Sequence, residues 1–229
     1  MKQRQIAALL AEAIGTFVLV MVILNVSRYG LPFFTAIAAG VAVAAFYSIG
    51  SKISGGHFNP AVTLGLCSIR KIGFVRTVAY IIAQVVGALG AWQLYEYLTQ
   101  RTLKNATTSW DWRIVIAEAV GTLVFVIAFA AVVKQKVEGW QAAATIGTAF
   151  FLGVLVAGLA SNGLLNPAVA VGVRSFDFNY FVGPVVGALV GMNLYVFVLD
   201  PVMKKAAAAK VATATKKAPA KKKAKKAKK

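Results

Sequence analysis

The chain has 229 residues, is 59% apolar and has a mean hydropathy of +0.73, above the roughly 45–50% apolar share of soluble domains. Its formal charge of +18 is lopsided: 12 of the 25 Lys and Arg fall in residues 204–229, so the rest carries only 13 basic against 7 acidic residues. One histidine and one cysteine (Cys67) exclude an intramolecular disulfide and a metal site, and no nucleophile–base or cofactor motif points to an enzyme.

Windows with little or no charge mark the elements. Residues 6–27 hold one acid, Glu12, and residues 29–51 hold no charge. Each is near the ~20 residues that cross a ~30 Å hydrocarbon core. Residues 53–69 are also uncharged, but Ser54-Gly55-Gly56 sits poorly in a helix, and Asn59-Pro60 starts a short one. Residues 77–95 form a third span, and residues 114–133, with Glu118, a fourth. Nothing is charged over the 35 residues 139–173, or about 52 Å of helix, too long for one crossing. Asn162-Gly163 and Asn166-Pro167 divide this run into a fifth span (141–160) and a remainder, 167–174, that reaches only ~12 Å as helix. Residues 178–199 give the sixth span. A basic start before an apolar run also fits a signal peptide, yet the first span has a counterpart later in the chain, which favours retention.

The expected fold is therefore an all-α membrane protein: six transmembrane helices and two re-entrant half-helices, in one domain over residues 1–203. Its halves, about 6–98 and 112–203, repeat. Ala11-Glu12-Ala13-Ile14-Gly15-Thr16 returns as Ala117-Glu118-Ala119-Val120-Gly121-Thr122, Asn59-Pro60-Ala61 as Asn166-Pro167-Ala168, and Val85-Val86-Gly87-Ala88 as Val185-Val186-Gly187-Ala188. Three spans per half is an odd number, so the halves insert with opposite topology, and their half-helices can meet tip to tip. Ala83, Gly87, Ala91 and Gly183, Gly187, Gly191 form small-xxx-small stripes for close helix approach. Lys and Arg favour the loops on the N-terminal side eight to five, which predicts both termini in the cytoplasm.

Each triplet reads as a helix start at membrane depth. Asn caps it and Pro fits its first turn, so the Asn side-chain carbonyl is occupied and its NH₂ is left to face a lumen. Two helix N-termini, each worth roughly half a positive charge, would then oppose cations at one point. Glu12 and Glu118 admit two readings. They are sites of proton coupling, or braces that accept N–H groups from the irregular chain entering each half-helix. His57 likewise reads as a pH-sensitive pore group or a loop brace.

Ser54-Gly55-Gly56-His57-Phe58-Asn59-Pro60-Ala61-Val62-Thr63 and Leu165-Asn166-Pro167-Ala168 resemble the two signature loops of the aquaporin, or major intrinsic protein, family. The likeness runs from about residue 6 to 199 and includes Glu12 to Thr16, Gln84 to Gly90 and Gly183-Pro184. It implies a right-handed bundle, a homotetramer with one pore per subunit, and passive conduction of water or small neutral solutes. It also implies a constriction at Ala39, Val154, Gly163 and Val169. The family usually places Arg where this chain has Val169, so the ring is expected to be wide, dry and without a fixed cation; Arg174 lies more than a turn further on. Ala170 replaces the Asp typical of glycerol facilitators, and Tyr180-Phe181 resemble the water-channel subgroup.

The Lys/Ala-rich segment 204–229 is expected to be a disordered cytoplasmic tail, able to meet anionic lipid or nucleic acid. Asn105-Ala106-Thr107 fits a glycosylation sequon in an outer loop. The leading function is a water channel that also admits small uncharged solutes. The alternatives are a wide facilitator of glycerol, urea or ammonia, a transporter coupled through Glu12 or Glu118, and a non-conducting scaffold with a basic tail.

Overall fold

The structure, a computed structural model, describes residues 3–208. Six helices in it are long and apolar enough to span a bilayer. They are α1 (Gln3–Ser27), α2 (Pro32–Gly50), α4 (Phe74–Thr99), α5 (Trp112–Gln135), α6 (Gly139–Ala157) and α8 (Phe178–Leu194), the last continuing through a π-helical turn at Tyr195–Leu199 to Ala208. Between them lie the short helices α3 (Pro60–Ser68) and α7 (Pro167–Gly172). At about 13 Å and 9 Å, neither could cross a membrane. No strand occurs among the described residues.

Local chemistry sets the helix starts. Pro32 opens α2, and Asp111 and Asp177 cap α5 and α8 by accepting from the N–H groups of Arg113, and of Asn179 and Tyr180. Asp111 lies outside the spans, and the Arg113 guanidinium beside it holds its carboxyl below the ordinary range. α8 runs four residues past Lys204; what was expected of the tail beyond Ala208 lies outside the described residues.

Packing follows the repeat. α1 pairs with α4 and α5 with α8, α2 meets α6 across the seam between halves, α3 lies chiefly against α8, and α7 against α4. Each short helix is thus seated on the other half. The stripes of small residues explain the close pairs. A Cβ on Gly87 would collide with the carbonyl of Ala13, and one on Gly187 with that of Ala119. Gly40 and Gly147 do the same for α2 and α6. The bundle is inverted relative to a soluble protein: Val75, Leu159 and Trp140 lie on the outside, whereas Glu12, Gln84, Glu118, Asn59 and Asn166 are buried.

Candidate functional site

The two triplets meet in the centre of the bundle. Asn59 Oδ1 accepts from the Ala61 N–H (2.8 Å), and Asn166 Oδ1 from the N–H groups of Ala168 (3.0 Å) and Val169 (3.3 Å). Pro60 and Pro167 occupy the first turns, and Ala61 and Ala168 are fully buried behind them. The amide nitrogens cross between halves. Asn59 Nδ2 donates to the Leu165 carbonyl and Asn166 Nδ2 to the Phe58 carbonyl, both at 2.8 Å. Phe58 and Leu165 hold left-handed φ of 49° and 54°, which turns each carbonyl toward the opposite asparagine. The sequence led us to expect both NH₂ groups free to face a lumen; each instead has one donor committed to the opposite half. One hydrogen of each locks the short helices together, and one remains.

The buried acids brace the entering chains. Glu12 accepts from Ser54 Oγ (2.6 Å), from the N–H groups of His57 (3.0 Å) and Phe58 (2.7 Å), and from Gln84 Nε2 (2.7 Å). Glu118 repeats this with Ser161 Oγ (2.8 Å) and the N–H groups of Leu164 (2.9 Å) and Leu165 (2.7 Å). Irregular backbone at this depth needs internal acceptors, and each carboxylate supplies several. His57 belongs to the same support. Thr63 Oγ1 spends its one hydrogen on the Asn59 carbonyl (2.9 Å), so at 3.1 Å the imidazole Nδ1–H is the donor to it. The ring also packs edge-on against Tyr80. The halves differ here: the repeat counterparts of His57 and Thr63 are the apolar Leu164 and Ala170.

From the ends of α1 and α2, a cavity of about 630 Å³ descends into the bundle. Ala39, Val154 and Gly163 line it. Val169 does not, being fully buried in α7, and Val173, one turn on, takes a place in the wall. Arg174 stays out of the cavity. Its guanidinium stacks 4.2 Å over the Trp92 ring, and its backbone carbonyl holds the N–H of Ala106 in the loop after α4, where Asn105 is exposed. At the asparagines lies a second, much smaller space of about 10 Å³, bounded by residues that include Asn59, Asn166, His57, Phe125, Phe129 and Phe150. The three phenylalanines escaped sequence reasoning, because an apolar position on an apolar helix does not disclose which face it occupies.

The major intrinsic protein family model matches residues 1–195. Among curated proteins, "Aquaporin NIP3-1" of Oryza sativa subsp. japonica is 31% identical over 206 residues, covering 81% of this chain and 66% of its own length. The chain thus spans just under two thirds of that relative. "Aquaporin-1" of Rattus norvegicus is 33% identical over 181 residues (72% of this chain, 67% of its own), and "Aquaporin Z" of Photorhabdus laumondii is 31% identical over 220 residues (82% and 95%). The solved aquaglyceroporin from Plasmodium falciparum shares the fold, with a TM-score of 0.71 at 21% identity, over 87% of this chain and 99% of that one.

Proposed function

The chain belongs to the major intrinsic protein family, whose members are passive channels, and on that premise we propose that it conducts water through the passage between Asn59 and Asn166, with small uncharged solutes as secondary cargo. The reciprocal capping of the two short helices carries this reading. Their N-termini converge where each asparagine keeps one amide hydrogen, so a passing water can turn its oxygen to both donors. A cation there meets two positive helix ends and no carboxylate, because Glu12 and Glu118 are committed to backbone and side-chain donors. Ala39, Val154 and Gly163 line a wide approach without a fixed cation, so exclusion of charge falls on the short helices.

Both termini lie in the cytoplasm in this reading, as the loop charges favour, and the assembly is a homotetramer in which each subunit bears its own pore. Lipid covers the apolar exterior. Stopped-flow shrinkage of proteoliposomes against sucrose, then glycerol, urea and ammonia, tests the function. Water flux well above that of empty liposomes, insensitive to an imposed pH gradient, is the expected result. Flux equal to that of empty liposomes would remove the channel reading, and uptake driven by the gradient would replace it with a coupled transporter.

A further inference from the structure

We propose that the solute-size filter of this chain lies at Phe150, one helical turn deeper than the wide ring, with Phe125 and Phe129 holding its ring in place. The proposal rests on the channel reading and names the residue that sets which solutes follow water. Space decides the level. The mouth encloses about 630 Å³, whereas the site beside the asparagines holds about 10 Å³. The latter is at the lower edge of what accommodates one water. Phe150 lines both spaces and so stands at the step between them. It sits four residues before Val154 on α6, hence on the same helix face.

The ring is held from behind. Phe125 meets Phe150 edge to face at 5.1 Å between centroids, Phe129 meets Phe125 at 6.0 Å, and Tyr47 and His57 flank Phe129 at 5.7 and 6.4 Å. Phe125, Phe129 and Phe150 are all buried, so the ring cannot swing aside without unpacking this train. The narrow site then has an aromatic wall and, in Asn59 and Asn166, a wall of amide donors. Water satisfies the donors and is small enough for the site. A polyol brings a carbon chain that must press against Phe150, so the barrier rises with solute girth while a small neutral molecule is scarcely affected.

The test compares water and glycerol permeability of the full chain in proteoliposomes for wild type, Phe150→Leu, Phe150→Ala and, at the wide ring, Ala39→Leu. The glycerol-to-water ratio should rise about tenfold in Phe150→Ala and by less in Phe150→Leu, the reduction in barrier being a steric one. Ala39→Leu, which narrows the wide ring, should change the ratio by less than Phe150→Ala does. Ratios unchanged in both Phe150 variants, or a shift confined to Ala39→Leu, overturn the proposal while wild-type water flux keeps the channel reading intact. Should Phe150→Ala fail to fold, Phe150→Cys in a Cys67→Ser background gives a second readout. Mercurial block of its water flux, reversed by a thiol, supports the placement, and a folded variant that conducts yet resists block counts against it.

Discussion

Asn59 donates its side-chain amide to the carbonyl of Leu165, 106 residues away, at 2.8 Å. This one bond joins the start of α3 to the chain that enters α7, and Asn166 returns it to Phe58. Substituting Asn59→Asp keeps the shape and the cap but sets a carboxylate oxygen against the Leu165 carbonyl. The loss is expected to be about 2–3 kcal/mol, read as a lower midpoint of thermal aggregation in detergent. The added negative charge also cancels the positive helix ends, so sodium or potassium leak should appear in proteoliposomes that showed none. A variant as stable and as tight to cations as wild type would separate the asparagine from both roles.

Glu118→Gln replaces an acceptor of several hydrogen bonds with a group whose NH₂ must face the N–H groups of Leu164 or Leu165. Hydrogen bonds to charged groups are worth about 1.5–3 kcal/mol each, so a loss of at least about 2 kcal/mol and a lower yield of folded protein are expected. Glu12→Gln should cost at least as much, since Glu12 serves two backbone donors and two side chains where Glu118 serves two and one. If instead Glu118→Gln folds like wild type and abolishes only a pH-driven flux, the acid is a coupling site rather than a brace.

His57→Leu borrows the residue that the second half uses at the equivalent place, Leu164. Thr63 keeps its bond to the Asn59 carbonyl and its acceptance from Gln84, so the loop should persist with a cost near 1 kcal/mol. Water flux measured from pH 5 to 8 should show the same shallow profile in both proteins. A steep wild-type profile that vanishes in the variant would make the histidine a sensor.

Gly87→Ala and Gly187→Ala place a methyl group into the carbonyls of Ala13 and Ala119, so α1 and α4, or α5 and α8, must separate. Each should lose about 1–3 kcal/mol. Gly73→Ala is the matched control, because a Cβ there meets no atom within 4 Å; its thermal midpoint should move little. Equal losses at all three positions would rule out the close helix contacts as their cause.

Much of this was legible before any coordinates. The spans announce themselves because charge cannot be left in hydrocarbon, and the short helices because Asn-Pro interrupts an apolar run at a fixed offset in both halves. The acids stand out for the same reason: each is the only charge in its window. Three things were not legible. Nothing in the sequence marks Phe58 and Leu165 as left-handed, since neither is Gly or Asn, so the crossed bonds were invisible and the amides were expected to be freer than they are. Phe125 and Phe150 carry no periodic signal on helices that are apolar all round. Counting from the triplets reached Ala39, Val154 and Gly163 in the wall of the mouth, but placed Val169 there too. The tight seating of α7 against its neighbours buries that residue.

The two asparagine clasps also bear on how the molecule can move. A carrier that worked by rocking one half against the other would have to unfasten both clasps in every cycle, and expose two backbone carbonyls that have no other partner in view. Fastened, the halves are tied together at their centre, which suits the proposed channel, whose throughput would be set by its bore rather than by a stroke.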